Sequence, residues 1–149
     1  MSSIFSNATM TVIFQEEVEL NSTKYGGRTQ FKIGQINEVS QRIVNVPTSQ
    51  TTILQLSASV GPGTYVTSNT KYVRLTNLDN ENWVRLTFVS GSANQYDVRL
   101  DPRKSYVFTN SKISGSAAGA TFNAFSDFDT LKAVANSAAV DVEMFVASQ

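Results

Sequence analysis

Two residue types are missing altogether. The 149 residues include no cysteine and no histidine, which removes disulfides, thiolate nucleophiles, the usual zinc ligand sets, Ser-His-Asp triads and any imidazole acid or base. Charge is sparse and balanced: 12 basic and 12 acidic side chains give a net charge of zero, with 16% of residues charged. No long-range field therefore draws the chain to nucleic acid or to an anionic membrane, and neither partner is expected. No stretch approaches the roughly 18 apolar residues of a membrane span. The opening MSSIFSNATMTVIF lacks the basic and apolar regions of a signal peptide, so no signal and no anchor is expected. A cysteine-free chain needs no oxidising compartment, although a protein that ends in an extracellular particle would look the same. Gly-x-Gly-x-x-Gly and Walker-type loops are absent as well, and no cofactor is implied.

What is present is alternation, over a length that suits one β domain spanning residues 1–149. Val12, Phe14, Val18 and Leu20 share one parity against Gln15, Glu17 and Glu19, with one flaw at Glu16, which predicts a half-buried strand. Turn residues from 21 to 27, ending in Gly26 and Gly27, predict a turn before a short strand at Phe31 and Ile33. Between residues 38 and 46 the parity changes from Val39 and Ile43 to Val44 and Val46, which suggests a bulge near Ile43. Thr52, Leu54, Leu56, Ala58 and Val60 point to a core before Gly61, Pro62 and Gly63 break the ladder.

Val-Arg-Leu then occurs three times, at residues 73–75, 84–86 and 98–100. Valine and leucine face one side and arginine the other, and the polar linkers between them favour a meander. Tyr106 and Phe108 begin a further strand, and Val142, Met144 and Val146 alternate in a terminal one tied into the sheet. Residues 111–120 are almost wholly Ser, Gly and Ala, too poor in apolar surface to order themselves, and predict an arm ordered only against a neighbouring subunit. Ser126 and Asp129 fit a capping pattern ahead of Phe128, Leu131, Val134 and Ala135, predicting one short helix. The expected fold is all-β, an antiparallel β-sandwich or jelly roll with that helix near the C-terminus. Its core set is Val12, Phe14, Phe31, Ile33, Leu54, Leu56, Val73, Leu75, Val84, Leu86, Val98, Leu100 and Val142.

The side opposite the Val-Arg-Leu core residues carries Tyr72, Arg74, Trp83, Arg85 and Arg99, with Asp97 and Asp101 among them. Arginines beside aromatic platforms would suit phosphate, but the neutral charge offers no wider basic footprint. Arginine, tyrosine and tryptophan are also enriched in protein interfaces, so the five residues are a candidate docking face. Guanidinium groups stay charged near neutrality, which makes such a face an unsuitable proton shuttle. Glu16, Glu17 and Glu19, and Asp127 with Asp129, are carboxylate clusters of the kind glycosidases use, but each would lie on a single element instead of across a cleft. Residues 79–82, Asp-Asn-Glu-Asn, supply oxygen donors without EF-hand spacing; a polar turn explains them and a cation there stays open. No catalytic residue and no metal site is assigned.

The opening SSIFSNATMTV, the segment YVRLTNLDNENWVRLTF and the ending AAVDVEMFVAS resemble the small virion structural proteins of tailed bacteriophages. The resemblance implies a non-enzymatic structural role: most directly a capsid decoration or cement protein on the outer lattice, made in the host cytoplasm and carried in the virion. Its implied partners are the major capsid protein or other virion proteins, with homo-oligomers common. A tail- or fibre-associated adhesin that binds a host surface glycan is the alternative, and a small carboxylate hydrolase the third class.

Overall fold

The structure is a computed structural model. It describes residues 6–91, 93–109, 112–113, 123–124 and 128–149. Among the described residues, thirteen strands follow in chain order: β1 (Ala8–Leu20), β2 (Thr23–Ile36), β3 (Glu38–Val46), β4 (Thr51–Ser57), β5 (Tyr65–Val66), β6 (Thr70–Asn77), β7 (Val84–Ser90), β8 (Ala93–Leu100), β9 (Ser105–Thr109), β10 (Lys112–Ile113), β11 (Asn123–Ala124), β12 (Thr130–Ala135) and β13 (Val140–Ser148). Two sheets carry the body, one ordered β5-β4-β12-β7-β8 and the other β3-β13-β6-β9.

These orders describe one long antiparallel ribbon folded over on itself. From the β7–β8 turn outward, β7 lies beside β8, β6 beside β9, β4 beside β12 and β3 beside β13, each pair antiparallel. The steps β3 to β4, β6 to β7, β8 to β9 and β12 to β13 each pass from one sheet to the other. That is jelly-roll wrapping of a β-sandwich, and it matches the expected all-β class. The expected meander is not formed: β6 pairs with β9 and β13 and never with β7.

Period-two alternation sets what each strand buries. Val73 and Leu75 of β6, Val84, Leu86 and Phe88 of β7, and Val140, Val142 and Met144 of β13 are sealed from solvent between the sheets. Phe88 is the hub of the core. Its ring lies 4.4 Å from Tyr96 in a stacked arrangement and 4.9 Å and 5.8 Å from Phe128 and Phe108 edge-on, geometries that suit the ring quadrupoles. Of the expected core, Leu54, Leu56, Val73, Leu75, Val84, Leu86, Leu100 and Val142 lie in this layer, with half-buried Val98 packed against it. Val12, Phe31 and Ile33 belong to a separate cluster, and Phe14 is exposed.

Three local expectations are corrected. Residues 130–135 form β12, not a helix, between β4 and β7. Leu131, Ala133 and Ala135 point inward, and Val134, which the helical stripe would bury, is only half-buried. Six residues, TLKAVA, are too few for either period to dominate, and two waiting neighbours decide it. β3 holds an unbroken register with β13, so there is no bulge at Ile43; Val39 and Ile43 simply face outward. β4 ends at Ser57, which leaves Val60 exposed. The expected arm at 111–120 falls, apart from β10, outside the described residues, as do Ser126 and Asp127.

The crossing from β6 to β7 is pinned by Asn77, which is fully buried. Its amide donates to the carbonyls of Asn82 and Leu100 at 2.9 Å and 3.1 Å, and its oxygen accepts the Asp79 N–H at 2.9 Å. Asp79 Oδ1 in turn accepts the N–H groups of Glu81 and Asn82 at 2.7 Å and 2.6 Å, which holds its carboxyl below the usual range. Residues 79–82 thus form the polar turn, with one carboxylate oxygen already engaged by backbone.

The β12 assignment has a direct test. Ala133→Asp puts a charge between the sheets and is expected to destabilise the chain by about 3 kcal/mol or more. Val134→Ser should change stability by less than about 1 kcal/mol. Urea denaturation of both variants checks the contrast, and the reverse order would restore the helix.

Candidate protein interface

The five residues of the expected docking face do not share a face. Tyr72 and Arg74 stand on β6, in the four-stranded sheet, whereas Trp83 precedes β7 and Arg85 and Arg99 lie on β7 and β8 of the other sheet. The common sequence grammar is real, but jelly-roll wrapping turns its copies to opposite sides of the molecule.

On the four-stranded sheet the two residues are already engaged. Tyr72 is 5% exposed beneath the base of the β1–β2 hairpin, packed with Val12, Ile36 and Ala147. Burial raises its phenol pKa, with Arg74 opposing. Arg74 donates from Nη2 to Glu143 Oε1 at 2.7 Å and from Nη1 to Thr76 Oγ1 at 2.6 Å. Its guanidinium also sits 5.9 Å from the Phe145 ring centre. The hydrogen bond from Arg74, helped by one from Gln41, holds Glu143 below the usual glutamate range. This is a half-buried tether, with both charges satisfied from within the chain.

The other sheet carries a small exposed charge lattice. Arg85 and Arg99 stand directly opposite each other on β7 and β8. Such a like-charged pair is unfavourable alone, and each arginine is offset by an aspartate, Asp97 at 3.7 Å and Asp101 at 2.6 Å. The Arg99 guanidinium lies 4.9 Å from the Trp83 ring centre, a cation–π contact worth about 0.5–1 kcal/mol at exposed sites. Two arginines with two aspartates make a neutral patch, unlike a phosphate-binding ladder.

Among the described residues, the acidic side chains of the carboxylate clusters do not face one another across a cleft. Glu17 and Glu19 point outward from the β1–β2 hairpin. Asp129 accepts the Gly91 N–H at 2.9 Å and the Thr130 hydroxyl at 2.9 Å, tying β12 to the β7–β8 turn. Among the described residues, no group of three or more acidic side chains is placed to hold a metal ion.

The surface that sequence reading missed is the β1–β2 hairpin itself. Asn21 and Ser22, with φ of 51° and 62°, form a two-residue type I′ turn, and pairing begins at once with Leu20 opposite Thr23. The expected turn region, residues 21–27, closes at its first two residues, and Gly26 and Gly27 are part of β2. Gly26 has φ of 122°, and a Cβ there would fall 2.0 Å from the Glu16 carbonyl oxygen, so only glycine fits. With this register Met10, Val12, Phe14, Val18, Leu20, Tyr25, Phe31 and Ile33 all share one face, broken by Glu16 opposite Gly27. The base of that face is covered by Tyr72, Phe145 and Val107 of the four-stranded sheet. Further out Phe14, Val18, Leu20 and Tyr25 are 42%, 57%, 60% and 56% exposed. A cleft of about 890 Å³ opens where the arm leaves the body, lined by Phe14, Phe31, Ile33, Lys71, Val107 and Thr109 among others. The signal was legible in the parity of residues 10–20; the register that doubles it depends on where within residues 21–27 the turn closes.

No protein-family model matches the chain, and no curated protein is similar to it. Among solved structures the chain is similar to one described as "Bacillus endospore appendages form a novel family of disulfide-linked pili". The two share 12% identity and a TM-score of 0.43, over 99% of this chain and 97% of that one.

Arg74→Ala is expected to lower stability by about 1–2 kcal/mol, since it removes charge-assisted bonds from a half-buried glutamate. Arg85→Ala and Arg99→Ala should each stay within about 0.5 kcal/mol. Glu143 binds its proton less tightly folded than unfolded, so the tether's contribution is full above the ordinary carboxylate range and fades as pH falls through and below about 4. Denaturation at pH 7 and pH 3 should therefore show the Arg74→Ala deficit shrinking at the lower pH. An equal deficit at both would mean that the guanidinium acts through Phe145 packing alone.

Proposed function

We propose that the chain is a non-enzymatic structural subunit of an assembled particle, most concretely a virion decoration protein that docks on a capsid lattice. The observation that carries this reading is the projecting hairpin. From Phe14 to the turn it extends six residues, about 20 Å at strand rise, and keeps an apolar face, interrupted at Glu16, uncovered along that length. A two-stranded ribbon alone is marginally stable in water, and an exposed apolar patch rimmed by charge marks an interaction surface. The body beneath it is closed and internally satisfied, with no buried side-chain polar atom lacking a partner among the described residues.

The jelly roll agrees by analogy, since capsid and lectin domains both use it, although a fold does not assign a function. The neutral lattice around Trp83 is less suited to a glycan than a bare tryptophan would be, because the Arg99 guanidinium occupies the ring. Decoration is therefore favoured over the adhesin reading.

Mass-spectrometric counting of this chain in purified virions that encode it, with its position in a particle reconstruction, tests the proposal. Decoration predicts copies in proportion to lattice sites. A few copies confined to the tail would favour the adhesin, and no copies in particles would end the virion reading.

A further inference from the structure

The hairpin sorts its charges by strand. β1 carries Glu16, Glu17 and Glu19 and no basic residue; β2 carries Lys24, Arg28 and Lys32 and no acidic one. Each strand is paired on one side only among the described residues, so the ribbon has an acidic free edge and a basic free edge. At 13 and 14 residues these edges are more than twice the length of an average strand of about 5–6 residues. Long open edges normally template further pairing.

We infer that the arm's occupant is the arm of a second copy of this chain, with the β1 edge of one copy lying along the β2 edge of the next. This inference rests on the structural-subunit reading and names its first partner. Two observations converge on a like partner. The first is charge: the register sets Glu19 opposite Lys24 and Gln15 opposite Arg28 across the hairpin. Arms side by side at equal height would therefore place Glu19 of one against Lys24 of its neighbour, with Glu17 opposite Gly26, between Lys24 and Arg28. One arm contains both halves of this match, so no other protein has to be found to supply it. The second is continuity. The distal apolar residues Phe14, Val18, Leu20 and Tyr25 extend the same face that Val12 and Phe31 already bury against the body. When arms join edge to edge that face becomes one wall, apolar except at Glu16, and closing the ring turns it inward and leaves the polar side of Gln15, Glu17, Lys24 and Arg28 in water.

Joining unlike edges is a heterologous contact, which ends in a ring if the rotation closes. Antiparallel pairing follows from the geometry, because β1 runs toward the tip and β2 away from it, and it costs no rearrangement of the hairpin.

The test is the mass of the full chain by sedimentation and light scattering across a concentration series. The parent should sediment as a closed multiple of 16.3 kDa. Val18→Asp, on the apolar face, and the half-swap Glu17→Lys with Glu19→Lys should each raise the half-association concentration at least tenfold. Circular dichroism and the main thermal transition should be retained, because these residues lie outside the core between the sheets. The full swap, which adds Lys24→Glu and Arg28→Glu, restores opposite edges and should recover the parent mass, whatever the half-swap does to the hairpin. Gln30→Ser on the polar face should change nothing. A monomeric parent, a half-swap that associates like the parent, or a full swap that stays monomeric would each overturn the inference. Failure here separates from failure of the functional reading: a monomer still found on particles leaves the decoration role standing, and a ring absent from particles leaves the arm pairing standing without it.

Discussion

The constraint on which the rest depends is the apolar layer closed between two sheets by a ribbon whose successive strand pairs lie in alternate sheets. Because side chains alternate along each strand, sealing Val73, Leu75, Val84, Leu86, Val142 and Met144 in the layer fixes where every neighbour must point. Arg74, Arg85 and Arg99 are outward for that reason alone, with no functional pressure needed to put them there. The wrapping then decides which outward residues meet. β6 and β7 are consecutive in sequence yet belong to opposite sheets, so residues that repeat one pattern are divided between two surfaces.

Periodicity reveals which side of a strand is buried but is silent on which strand lies beside it, and the readings divide along that line. The inward residues of β6, β7, β8 and β13 were legible because each strand is long enough to show several turns of the pattern. The meander was not, since the choice between a hairpin and a crossing at residues 78–83 turns on Asn77. That side chain binds Asn82 and Leu100 carbonyls from a buried position, and nothing in its sequence context separates a buried asparagine from a surface one. β12 failed differently. Leu131, Ala133 and Ala135 are too few and too small to favour one period, and an aspartate that resembled a cap is engaged by Gly91 and Thr130. There the local signal was weak and tertiary pairing supplied the answer.

The hairpin shows another case, a turn region located correctly but too broadly. Residues 21–27 all carry turn chemistry, and Asn21 and Ser22 form the turn. Both central residues of a type I′ turn need positive φ, which asparagine tolerates better than most residues, and Ser22 follows it there at 62°. Gly26 is required for another reason, the close approach of the Glu16 carbonyl. Closing the turn at 21–22, the start of the expected 21–27 region, lengthens β2 and turns a half-buried sheet strand into an amphipathic arm.

The body and the arm therefore answer different physical demands. In the body the ion pairs Arg74–Glu143, Arg85–Asp97 and Arg99–Asp101 join oppositely charged neighbours within the chain, which leaves little field for a partner to read. In the arm the signs are separated by strand, and an ion pair there, Lys24 to Glu17 at 3.6 Å, is highly exposed and contributes little to the fold. Separation of that kind adds almost nothing to an isolated hairpin, because cross-strand pairing could be had with the signs mixed on either strand. It matters only at the two outer edges, where a strand of one sign meets whatever comes next. Mixed edges would accept many neighbours in many registers, whereas one acidic and one basic edge reject their own kind and accept each other, and that selectivity is what a subunit needs to join copies of itself in a single orientation.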